Sequence, residues 1–106
     1  MPENWTFTDL DADVAAELQG FLPERVFDAH THAYRVADLN LEADGLFQQG
    51  PAEVGIRVWR EHAARMMGRR RLQGGLFLGT PTANCDRARV NEYLLAELET
   101  DPQSRG

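Results

Sequence analysis

Apolar positions divide the chain into five stretches of different period. Leu10, Val14 and Leu18 recur every four residues and Phe21 extends the row, so residues 10–20 are expected to form a short amphipathic helix. Thr8, with Asp11 three places on, resembles a capping box at its start, and Gly20 and Pro23 end it. Residues 1–9 ahead of it read as a loosely held arm. The next stretch, 25–33, contains Val26-Phe27-Asp28-Ala29-His30-Thr31-His32. A run this short and this poor in charge predicts a strand buried on both faces. Residues 35–50 then form a long connection, of the length found in lids, binding loops and disordered segments.

Residues 51–68 carry the strongest helical pattern. Val54, Val58, Trp59, Ala63, Met66 and Met67 share one face, and Glu53–Arg57 and Arg57–Glu61 are i,i+4 pairs on the other. Pro51 suits the first helical position, Gly68 closes the helix, and Arg69-Arg70-Arg71 complement its negative end. Residues 74–80 predict a second short buried strand, and residues 81–85 a loop. Residues 86–100 predict a helix with Val90, Leu94 and Leu98 on one face, widened by Tyr93 and Leu95 and stopped before Pro102.

The expected order is helix, strand, helix, strand, helix. Such alternation points to an α/β fold with parallel strands joined by helical crossovers. Two parallel strands leave two open edges and do not stand alone as a sheet. The chain divides at this level into an arm and short helix (1–24) and two strand–helix units (25–106).

Composition narrows the function classes. Hydrophobic residues make up 42% and charged residues 26%, the usage of a globular domain rather than a fibrous or disordered chain. Asp and Glu total 17 against 11 basic residues, all of them Arg, for a net charge of -6. That balance argues against nucleic acid and anionic membrane surfaces as partners. The single Cys allows no internal disulfide. Met1-Pro2-Glu3-Asn4 shows neither a basic segment nor an apolar one of the kind that opens a signal peptide, so a cytoplasmic location is expected.

Candidate chemistry concentrates at the end of the first predicted strand. Side chains alternate along a strand, so Asp28, His30 and His32 are expected on one face. Two imidazoles two residues apart can converge on one ion, with a carboxylate behind them to orient a ring. His-x-His also arises by chance, with both rings structural. Its position at the carboxyl end of a parallel strand, where ligands bind in α/β sheets and barrels, favours the metal reading.

The segment Val26-Phe27-Asp28-Ala29-His30-Thr31-His32-Ala33-Tyr34 resembles the first strand of the amidohydrolase superfamily, and more narrowly its amidohydrolase-related (amidohydrolase 2) metal-dependent hydrolases. Residues 74–82 resemble the second strand with less specific residues. The resemblance spans roughly residues 25–100, with the His-x-His segment as its diagnostic part. It implies a (β/α)₈ TIM barrel, His30 and His32 as ligands of a divalent metal, most often zinc, and a small-molecule substrate. The implied chemistry is attack of a metal-activated water on a carbonyl, or metal-assisted non-oxidative decarboxylation.

The remaining ligands and the acid/base of that family come from later strands, so no catalytic residue is assigned here. A barrel of this type needs about 250 residues. The chain is therefore expected to be the N-terminal portion of such a barrel, a leading helix plus the first two βα units, inactive alone and binding metal weakly. A complete small α/β binding module with structural histidines, its edges covered in a homo-oligomer, is the alternative. A phosphoesterase of the Asp-x-His-x-His type is a weaker one. Elsewhere, His62 reads as a partly buried structural residue, Cys85 as a loop thiol on the face of a barrel active site, and Arg69-Arg70-Arg71 as a solvated helix cap. Tyr34 and Arg35 follow the ligand pair and are expected to line a substrate pocket.

Overall fold

The computed structural model describes residues 2–106. Its elements in chain order are α1 (Asp9–Gln19), β1 (Val26–His32), β2 (Tyr34–Arg35), a 3-10 turn (Val36–Leu39), α2 (Leu46–Gln49), β3 (Glu53–Val54), α3 (Ile56–Met67), β4 (Leu72–Leu78) and α4 (Arg87–Glu99). The result is a mixed α/β domain. β1 pairs with β4 in parallel, with α3 in the connection between them, and β2 pairs with β3 in an antiparallel clip.

Local chemistry accounts for the main boundaries. Thr8 caps α1: its Oγ1 accepts from the Asp11 amide at 3.2 Å, and the Asp11 carboxylate accepts from the Thr8 amide at 2.8 Å. The Thr8 amide and the Thr8 hydroxyl, which also donates to that carboxylate at 2.8 Å, hold the Asp11 carboxyl below its ordinary range. Asp86 caps α4, accepting from the Arg89 amide at 3.1 Å. Gly68 ends α3 with φ of +88°, a conformation open to glycine and strained for other residues.

Three expectations are corrected. First, α3 begins at Ile56, not near Pro51: Glu53 and Val54 pair with Arg35 and Tyr34 in the clip, and that pairing outcompetes helix propensity. Of the two anticipated ion pairs, Arg57–Glu61 forms at 2.8 Å, whereas Glu53 lies on β3. Second, the long 35–50 connection contains one of the two residues of that clip's first strand, the 3-10 turn and α2. Asp38, 2% exposed, anchors it by accepting from Arg35 at 2.6 Å and Arg89 at 3.0 Å. Third, β1 is not covered on both faces. Phe27 is half exposed, as are Leu76 and Leu78 on β4 in lesser degree.

The core lies between the sheet and the helices. Ala33, Ile56 and Phe77 form its centre, with Trp59, Tyr93, Leu94 and Leu98 packed around them. Of the row expected on α4, Val90 is buried, while Leu95 faces solvent. α1 lies against α3 through Ala15 and the half-buried Leu18, leaving Leu10 and Phe21 exposed. Trp5 ties down the segment ahead of α1, meeting His62 edge-on at 5.3 Å and closing over Gly50. Arg71 reaches from the end of α3 to Gln19 on α1 at 3.1 Å, so one residue of the arginine cluster bridges elements.

The far edge of β4 is partly occupied. Arg105 bridges Leu76 in parallel, the Phe77 amide donates to the Arg105 carbonyl at 2.7 Å, and the Arg105 amide donates to the Gly75 carbonyl at 2.9 Å. Residues 104–105 thus take the third place in the order β1, β4, third segment. Gly74 permits this approach, since a Cβ there would collide with the Gln103 backbone. No helix among the described residues is long and apolar enough to cross a membrane.

Candidate metal centre

His30 and His32 stand at the carboxyl end of β1, where the strand meets the end of β4. Their rings converge: Nε2 of His30 lies 3.2 Å from Nε2 of His32, with ring centroids 5.1 Å apart. Two ligands at 2.0–2.1 Å from a tetrahedral zinc are separated by about 3.3–3.4 Å. The pair is therefore spaced, to within about 0.2 Å, as two corners of such a site.

Nδ1 of His32 lies 3.1 Å from the carbonyl oxygen of Gly79. A carbonyl only accepts, so Nδ1 carries the proton and, in the neutral ring, Nε2 presents its lone pair. His30 satisfies the metal-free pair by donating from its Nε2 to that lone pair. To ligate an ion it would carry its proton on Nδ1 instead. The two residues thus fit a divalent cation in donor type, spacing and, for His32, tautomer. Among the described residues no group of three or more His, Cys, Asp or Glu is assembled to hold a metal. The histidines supply half of a four-coordinate shell.

Asp28 departs from the expected shared face. Between Asp28 and Thr31 β1 advances three residues while β4 advances two, from Gly75 to Phe77. This irregularity interrupts the alternation that would have grouped Asp28 with the histidines. One Asp28 carboxylate oxygen accepts from the His30 backbone amide at 3.0 Å and the other from the Trp59 indole at 3.4 Å. The ring-orienting role expected of Asp28 is filled for His32 by the Gly79 carbonyl. A backbone acceptor 47 positions away carries no side-chain signal by which sequence reading could find it.

The histidine pair opens on a cleft of about 740 Å³ bounded by the ends of β1 and β4, the 79–85 loop and the start of α4. Thr80, Cys85, Arg87 and Asn91 are among its other lining residues. Cys85 is thus on the cleft, as its position predicted. Tyr34 and Arg35 are not: Tyr34 packs edge-on against Phe47, and Arg35 binds Asp38 and stacks over Tyr93 at 4.9 Å. Burial raises the Tyr93 phenol above its ordinary pKa, with Glu97 adding to the effect. His62 is half buried against Trp5, away from the cleft, with an unpartnered Nδ1. Another cleft, of about 490 Å³, sits near the amino end of β4; the Arg57–Glu61 and Arg60–Asp101 pairs line it together with Arg69.

No family model, curated protein or solved structure matches this chain.

Proposed function

We propose that this chain is the opening portion of a metal-dependent hydrolase built on a (β/α)₈ barrel, in which His30 and His32 hold a divalent cation, zinc by preference. The observation that carries the reading is the 3.2 Å separation of the two Nε2 atoms at the end of a parallel strand, with His32 oriented through Nδ1. The parallel order of β1, β4 and residues 104–105 supports the barrel, as does the cleft at the carboxyl end of the strands, where barrel enzymes bind substrate.

When bound, the cation would supply Lewis-acid activation of a water or of a substrate carbonyl, or charge stabilisation in a decarboxylation. The chain's own contribution is positional. β1 holds the two rings in convergence, and the Gly79 carbonyl fixes the His32 tautomer. With two ligands and no acid/base group beside them, residues 1–106 are expected to lack turnover on ester, lactone and lactam substrates. Titration of zinc against a chromophoric chelator tests the site. The expected outcome is one weakly held zinc per chain, lost in both His30→Ala and His32→Ala. Zinc affinity unchanged in both variants would overturn the assignment.

One observation favours a second reading, a small binding module with structural histidines. The His30–His32 contact and the His32–Gly79 bond already give the pair internal partners. A chain that binds no zinc while His32→Ala lowers its stability would establish that reading instead.

A further inference from the structure

The lining of the 740 Å³ cleft differs in charge from the rest of the molecule. The chain carries 17 acidic residues against 11 arginines, yet no carboxylate lines this cleft. Its charged side chain is Arg87, at the first position of α4. Among the described residues Arg87 makes neither an ion pair nor a side-chain hydrogen bond, in contrast to nearby Arg89, which is held by Asp38 at 3.0 Å. Thr80, on the same cleft, has a buried Oγ1 without a hydrogen-bond partner, although buried hydroxyls are ordinarily satisfied. The Asn91 side-chain amide on the same wall makes no hydrogen bond among the described residues.

We infer that this cleft takes a small carboxylate-bearing carbonyl compound, with Arg87 as the residue that selects for its carboxylate. The planar guanidinium fork matches a carboxylate in two parallel hydrogen bonds, whereas one cation is a poor match for a phosphate dianion. The Asn91 amide, on the same wall, provides a neutral polar contact. Placement of the substrate carbonyl beside His30 and His32 rests on the metal reading above; recognition of the anion by Arg87 does not.

Titration of the full chain with hippurate, which joins an amide carbonyl and a carboxylate in one small frame, tests the inference. Amide signals of Thr80, Arg87 and Asn91 are followed by NMR, with and without zinc. Hippurate is expected to shift these signals, and its uncharged analogue hippuramide to bind about tenfold or more weakly. Arg87→Ala should reduce hippurate to the hippuramide level while leaving zinc affinity and thermal midpoint unchanged. Equal binding of the two compounds, retention of hippurate binding in Arg87→Ala, or tighter binding of phenyl phosphate than of hippurate would overturn the inference. Failure of zinc to bind the unaltered chain would overturn the metal reading alone, because dependence on Arg87 is also read without zinc.

Discussion

His32 illustrates how one residue can be positioned from both strands of a parallel pair. Its backbone lies on β1, but its ring is oriented by a carbonyl just beyond β4. Under the proposed metal reading, that arrangement makes Asp28 dispensable for zinc, despite its place two residues before His30. Asp28→Asn should change zinc affinity by less than about threefold, whereas loss of a ring-orienting carboxylate typically costs 10–100-fold. Chelator competition on the two proteins distinguishes these outcomes. The candidate ligands were legible because His-x-His on a strand carries its own geometry. The orienting atom was not, because every residue has a carbonyl and only the fold decides which one faces an imidazole.

Among the elements, β4 organises the domain. It pairs with β1 on one edge, receives residues 104–105 on the other, and projects Phe77 into the core with no exposed surface. Phe77 meets Trp59 edge-on at 4.9 Å, so its ring links β4 to α3. Phe77→Ala should cost about 3–5 kcal/mol through lost burial and the cavity left behind. A lowered urea midpoint with an unchanged slope would report that loss. Strand and helix identities were readable here from apolar runs and periods. The α3 boundary was not: Val54 fits the helical row equally well, and only its pairing with Tyr34 draws it into β3. A two-residue strand leaves no periodic signature.

At the scale of the whole molecule, Arg60 and Asp101 join α3, β4 and the segment after α4. Arg60 donates to both Asp101 carboxylate oxygens at 2.8 Å and to the Gln73 carbonyl at 3.0 Å, and Ser104 also donates to Asp101. Partial burial works to raise the Asp101 carboxyl, but the Arg60 and Ser104 bonds with the Arg60 charge prevail and hold it below its ordinary range. A carboxyl depressed in the folded state stabilises the fold above its unfolded pKa of about 3.9, and that contribution is lost as pH falls through the folded value. Stability should therefore decline on acidification below about pH 4, and Asp101→Asn should flatten that decline. Chemical denaturation of both proteins across pH 2–6 measures the difference. The partly exposed Phe27, Leu76 and Leu78 leave apolar sheet surface uncovered.

By itself the amino-acid sequence determined what local physics can encode. It specified the capping of α1, the two main strands, the parallel α/β order, and the histidines at the end of the first strand. The cap, strands and histidines rest on residues within a few positions of one another, and the parallel order on the alternation of strand and helix along the chain. The tertiary structure alone decided what depends on partners distant in the chain. It turned Asp28 toward Trp59, set Gly79 behind His32, drew Glu53 and Val54 into a clip, and brought residues 104–105 beside β4. The physical reason is common to all four. Backbone hydrogen bonds and bulges are made by groups that every residue possesses, so their partners are chosen by packing and not by residue type.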